Sequence, residues 1–158
     1  MALKKGVNSY RTVAEADLYF EDRLDAAAYT EAAEDLKAQS LITATSILDS
    51  MNWTGYAVSE SQNLAFPRVG TYFDPRLGYD VSFNDDVPDR INKATFELAY
   101  HFLNNDGLLD DSGSVLNLKV GSISLERVSL ANTVPASVKR LIKPLLENAG
   151  ARQWWRAN

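Results

Sequence analysis

Apolar positions recur every three to four residues in four stretches of the chain and lose that rhythm between them. Val13, Ala16, Phe20 and Leu24 predict a first helix over 13–24. Thr12 followed three residues later by Glu15 is a capping box that fixes its start. A second, stronger stripe runs through Leu36, Ser40, Ala44, Ile47 and Met51, widened by Leu41 and Leu48. It predicts one long helix across 26–52, with Thr30 as N-cap of the leading turn. Ile91, Ala94, Leu98 and Phe102 predict a third helix. Pro88 opens it, where a missing N–H costs nothing, and Asn105–Gly107 supplies the stop. Val138, Leu141, Ile142, Leu145 and Leu146 predict a last helix that begins at Pro135, kinks at Pro144 and closes at Gly150.

The stretches between them differ in kind. Residues 52–87 are punctuated by glycine, proline and aromatic residues and hold no sustained period, which reads as an irregular excursion with one or two short strands. A structureless loop of this length is unusual inside a compact domain, so it is either packed by its own aromatics or engaged with a partner. Residues 108–114 read as a turn. Beyond them the apolar set is even-numbered at Leu116, Leu118 and Val120 but odd-numbered at Ile123 and Leu125. A one-residue slip turns every side chain to the opposite face, so a bulge or tight turn is required at Gly121–Ser122. The expected fold is mainly α: a four-helix bundle with a small β-hairpin and a long aromatic-rich loop. It forms a single helical domain over 1–150, followed by a C-terminal docking arm over 151–158.

Composition narrows the chemistry more than it suggests any. The chain has 158 residues, is 46% hydrophobic and 23% charged, and contains one histidine and no cysteine. Absence of cysteine removes disulfides, thiolate metal sites and cysteine nucleophiles together. No apolar run approaches 18 residues, and the two lysines near the start are not followed by an apolar segment, so neither a membrane span nor a signal peptide is expected. His101, between Tyr100 and Phe102, reads as a half-buried structural residue, because nothing beside it offers co-ligation or a nucleophile to activate. Asp85–Asp86 suits a helix N-terminus and Asp110–Asp111 a turn, and neither has the ligand order of a calcium loop. No catalytic, cofactor or metal-ligating constellation emerges, and an enzyme is not expected.

Charge is unevenly distributed. The net charge is −5, but residues 119–158 carry +5 and the rest −10. An acidic chain is a poor default binder of nucleic acid, for which phosphate neutralisation is the main source of affinity. Segregated charge suits self-assembly or docking onto an oppositely charged partner. Within the excursion, Phe66, Arg68, Tyr72, Phe73, Arg76 and Tyr79 interleave aromatics with arginine. The pattern fits a single-strand stacking platform, or a loop packed on the core or against a neighbouring subunit. Nearby Asp74, Asp80, Asp85 and Asp86 weaken the first reading and favour packing or protein contact. Near the C-terminus Arg152, Trp154, Trp155 and Arg156 gather the residue types most enriched at interface hot spots.

The order of these stretches resembles a known family. It rests on "VNSYRTVAEADLYFEDRL" at 7–24, "LITATSILDSMNWTGY" at 41–56 and "QNLAFPRVG" at 62–70. "VPDRINKATFELAYHFL" at 87–103, "LKVGSISLERV" at 118–128 and a final "VKRLIKPLL" helix follow in the same order. The set resembles the small head–tail connector (adaptor, or head-completion) proteins of tailed bacteriophages, a group often described as DnaT-like single-stranded-DNA-binding proteins. The resemblance spans 7–147. It implies a non-enzymatic virion protein at the head–tail junction, assembled in the host cytoplasm. Such proteins form a ring, commonly of twelve copies, beneath the portal and above the tail, tail-tube or nozzle protein, with genomic DNA passing through the lumen without sequence-specific binding. On this reading Arg152, Trp154, Trp155 and Arg156 dock into another subunit, above all the portal, the alternative being tryptophans folded back on their own bundle. Phe66, Arg68, Tyr72, Phe73, Arg76 and Tyr79 form an intersubunit or tail-facing loop. The alternative function is a DnaT-like single-stranded-DNA-binding replication protein. No cofactor and no membrane partner are implied.

Overall fold

Thr12 opens the first helix, α1 (Val13–Glu21), through the capping box its spacing predicts. The Thr12 hydroxyl accepts from the Glu15 amide at 3.2 Å, and Glu15 accepts from the Thr12 amide at 2.8 Å. The computed structural model describes residues 2–84, 86–104, 118–120, 123–125 and 134–147. Burial works to raise the Glu15 pKa, but hydrogen bonds from Lys5, the Thr12 backbone and Arg11 outweigh it and bring the group from its ordinary 4.5 to about 2. A carboxylate held below its unfolded pKa contributes stability above pH 4.5 that is lost as pH falls toward 2. With a third of the side chain exposed to solvent, screening leaves about 1 kcal/mol of that contribution. Glu15→Gln keeps the cap geometry and loses the charge. It is expected to lower stability by about 1 kcal/mol at pH 7 and to match the parent near pH 2, read from urea melts across that range.

α1 stops earlier than its apolar stripe suggests. Asp22 caps its C-terminus and Asp25 takes a left-handed φ of 57°. Leu24, expected on the buried face, is therefore 92% exposed. The long second helix divides in two. A single turn, α2 (Ala27–Thr30), is followed by α3 (Glu34–Asp49). Thr30 closes α2 instead of capping a helix, its hydroxyl donating to the Ala26 carbonyl, and Ala33 precedes α3 without a side-chain cap. The split brings Tyr29 inward to stack on Phe20 at 4.3 Å. It also leaves Leu36 half exposed, while Ser40, Leu41, Ala44 and Leu48 carry the buried stripe.

The third helix stands as expected. α4 (Asp89–Asn104) follows Pro88 and buries Ile91, Ala94, Leu98 and Phe102. α3 and α4 lie against each other at the centre, and α5 (Ala136–Ile142) packs on α4. Pro144 converts the last turn into a 3-10 turn, Lys143–Leu145, in place of a kinked α-helix. The helical path thus ends before Leu146, not at Gly150. Leu146 is extended and bridges Trp53. The Thr54 amide donates to Leu145 at 2.9 Å, and the Glu147 amide donates to Asn52 at 3.0 Å. These bonds tie the last described segment to the exit of α3.

The expected bundle with one hairpin is thus five helices and three two-stranded antiparallel ribbons among the described residues. β1 (Tyr56–Ala57) pairs with β2 (Arg68–Val69), and β3 (Thr71–Asp74) with β4 (Tyr79–Ser82). β5 (Leu118–Val120) pairs with β6 (Ile123–Leu125) in the register Leu118–Leu125 and Val120–Ile123. That register requires the parity change between 120 and 123, although Gly121–Ser122 themselves lie outside the described residues, as do the stop at 105–107, the turn at 108–114 and Gly150.

Candidate interaction surface

The excursion after α3 is organised by a period-two inward pattern, Leu64, Phe66 and Arg68. Leu64 and Phe66 are buried. Phe66 meets Trp53 at 5.2 Å, Phe83 at 5.9 Å and Tyr10 at 6.2 Å between ring centroids, all edge-on. Tyr72 lies half buried 5.2 Å from Phe83. Of the two alternatives for this segment, packing by its own aromatics accounts for Trp53, Phe66, Tyr72 and Phe83, which Tyr10 joins from outside it.

Arg68 completes the packing with hydrogen bonds. Its Nε donates to the Thr54 carbonyl at 2.9 Å and Nη1 to Ala65 at 3.2 Å. Nη2 donates to Trp53 at 3.1 Å and to Gly55 at 2.6 Å. One guanidinium thereby joins 53–55 to 65 and satisfies four main-chain acceptors. Asp49 acts from the other side, accepting from the Ala65 amide at 2.5 Å and the Tyr10 hydroxyl at 2.7 Å. Burial, then Asp49, pushes the Tyr10 phenol well above its ordinary pKa, so it remains a donor throughout the usual pH range. Phe66 and Arg68 therefore leave the expected contact loop: one is core, and the other is a clamp on the backbone.

What the ribbons turn outward is a different set. Tyr56 and Val69, paired across β1–β2, are 76% and 54% exposed. Phe73, Tyr79 and Leu77 are exposed on the β3–β4 ribbon and its tip, and Arg76 stands among them. Burial alternates along β3, with Tyr72 and Asp74 facing in and Thr71 and Phe73 facing out. Asp74 fixes the tip. Its carboxylate is buried, pairs with Arg90 of α4 at 2.7 Å and accepts from the Arg76 amide at 2.9 Å. Its carbonyl accepts from the amides of Leu77 and Gly78. The Arg90 and Arg76 hydrogen bonds hold the carboxyl below the usual range. The outward aromatics thus stand on a rigid base.

The electrostatics of this surface are not those of a phosphate groove. With Arg68 turned inward, Arg76 is the exposed cation of residues 52–84, set against exposed Glu60 and Asp80. His101 is half buried on α4, its ring 6.3 Å from that of Phe102. No cluster of three or more metal-ligating side chains occurs among the described residues, and no described helix is long and apolar enough to cross a membrane. Arg152, Trp154, Trp155 and Arg156 lie outside the described residues. Tyr56, Val69 and Leu77 were not singled out by sequence. The available signal was position: each stands within a residue or two of a glycine that turns the ribbon.

Fold and surface together define a small unit of mixed helices and antiparallel β-ribbons, with Tyr56 and Val69 exposed on one ribbon and Phe73, Leu77 and Tyr79 exposed on the next. The chain belongs to the family described as "Putative DnaT-like ssDNA binding protein", which matches residues 2–157. No curated protein and no solved structure matches it.

Proposed function

We propose that the protein is a non-enzymatic head–tail connector of a tailed-bacteriophage virion. It assembles with copies of itself into a ring between the portal and the tail. The observation that carries this reading is that Tyr56, Val69, Phe73 and Tyr79 are exposed on ribbons steadied by the Asp74–Arg90 pair, in an acidic chain. Exposed aromatics held by a preorganised frame suit protein contact, since ordering costs are already met before binding. An acidic wall also suits a channel that lets DNA pass without gripping it.

The family description favours a second reading, single-stranded-DNA binding, with Phe73, Arg76 and Tyr79 as the stacking set. Two measurements separate them: anisotropy of labelled single strands at low and high salt, and co-sedimentation of the protein with purified portal rings. The connector reading expects portal binding and weak strand binding. Tight, salt-sensitive strand binding without portal binding would reject it. Phe73→Ser combined with Tyr79→Ser is expected to leave stability within about 0.5 kcal/mol per site while reducing ring or portal assembly. The same pair would weaken strand binding if the second reading held.

A further inference from the structure

A groove of about 490 Å³ opens between α1 and α3, on elements other than the ribbons. It is lined by Ala14, Asp17, Leu18, Glu21, Thr30 and Lys37. Leu18 is 68% exposed there, a large apolar side chain in a helix that otherwise buries its apolar face. Its acids outnumber its cations. Lys37 is taken up by Asp17 at 2.9 Å, which leaves Glu21 exposed and without an ion pair among the described residues. Asp22, Asp25, Glu31, Glu34 and Asp35 follow in the same stretch, all exposed, while Arg23 is paired with Glu97. Beneath the groove, the Lys37 ammonium sits 5.2 Å over the Tyr29 ring, and the buried Tyr29 hydroxyl has no hydrogen-bond partner among the described residues. An apolar spot ringed by acid calls for a ligand that is both apolar and cationic.

The chain itself contains such a ligand. Residues 148–158 carry Arg152, Arg156, Trp154 and Trp155 and no acid. We infer that the groove between α1 and α3 receives the Trp-Arg segment 151–158 of a second copy of this chain. The volume accommodates an indole with a neighbouring guanidinium, at the lower end of ordinary pockets. The same copy could reach the groove only with its tail nearly fully extended. Glu147 is hydrogen-bonded to Asn52, beyond the C-terminal end of α3, whereas Lys37 and Thr30 stand at its N-terminal end. α3 is about 24 Å long, and the seven residues from Glu147 to Trp154 span at most about 24 Å when fully stretched. A neighbouring copy meets the groove without that strain, and the head-to-tail contact so formed generates rings or filaments.

The test is a charge exchange in the full-length protein, read by sedimentation velocity over a range of concentrations. One variant carries Arg152→Glu and Arg156→Glu, the other Asp17→Lys and Glu21→Lys, each checked by thermal melting for an intact fold. Self-association of either alone is expected to weaken on the order of tenfold or more. An equimolar mixture of the two is expected to recover association, since each supplies what the other lacks. Trp154→Ala with Trp155→Ala should weaken association and find no rescue in the Arg152→Glu, Arg156→Glu variant, since both carry a defective tail. A parent that stays monomeric at high micromolar concentration, tail variants that associate like the parent, or a mixture that fails to recover would each overturn the inference. It rests on self-assembly but not on the portal. Portal binding that persists when the charge exchange fails would sink the groove and spare the connector reading. A working exchange without portal binding would do the reverse.

Discussion

Arg68→Ala is expected to destabilise the protein by about 3–4 kcal/mol, far more than a half-buried arginine on a loop would ordinarily cost. The reason is what remains behind. The carbonyls of Trp53, Thr54, Gly55 and Ala65 all accept from this one side chain, at 2.6–3.2 Å. Removing the guanidinium leaves them to compete for water beside the buried Trp53 and Phe66, so the loss exceeds that of a single hydrogen bond. It also removes the cation 5.9 Å from the Phe66 ring. Arg68→Lys should recover less than half, because a compact ammonium cannot span acceptors on both 53–55 and 65 as a planar fork does. Arg76→Ala supplies the contrast. Its side chain is exposed at the ribbon tip, and the expected change is within about 0.5 kcal/mol. Urea melts of the three variants check the ranking, with an unchanged slope indicating an intact two-state transition. Equal stability of Arg68→Ala and Arg76→Ala would restore Arg68 to the partner-facing set.

That contrast also marks what the sequence could and could not carry. Local rules worked where the partners are local: Thr12 and Glu15 cap a helix three residues apart, and Ile91 to Phe102 repeat on one face of α4. They failed at the break between α2 and α3. There "TEAAED" is made mostly of good helix formers without glycine or proline, and burial of Tyr29 against Phe20 overrides propensity. They failed again at Leu24, since the left-handed Asp25 that ends the run has no glycine to announce it. For the candidate surface, residue type was legible but direction was not. Arg68 and Arg76 look alike in an aromatic segment. What separates them is a set of main-chain carbonyls, which leave no signature in the residues that carry them. The period-two run Leu64, Phe66, Arg68 was the available sign that Arg68 points with the core residues. The Asp74–Arg90 pair that steadies the ribbon tip joins residues sixteen apart on different elements, which spacing rules do not reach.

Gly55→Ala is the second change with a large expected effect, and its control is built into the same fold. Gly55 has φ +79° and Gly78 has φ +78°, so a side chain costs each about 1–2 kcal/mol in backbone preference alone. Their surroundings differ. A Cβ on Gly55 would stand 2.3 Å from the Val69 carbonyl oxygen and 3.4 Å from the Phe83 ring, whereas one on Gly78 meets nothing within 4 Å. Val69 is the β2 partner of Tyr56, so relieving the clash must push β1 from β2. That movement carries away the Gly55 carbonyl held by Arg68. Gly55→Ala should therefore cost about 3–4 kcal/mol and Gly78→Ala about 1 kcal/mol, the difference being the close approach and not the torsion. Because Tyr56 and Val69 stand on the disturbed ribbon, Gly55→Ala should also lose assembly under conditions where it remains folded. Gly78→Ala, with Phe73 still anchored through Asp74, should keep it. Matching melts for the two variants would mean that β1 and β2 can separate freely, and the rigid base assigned to the outward aromatics would go with them.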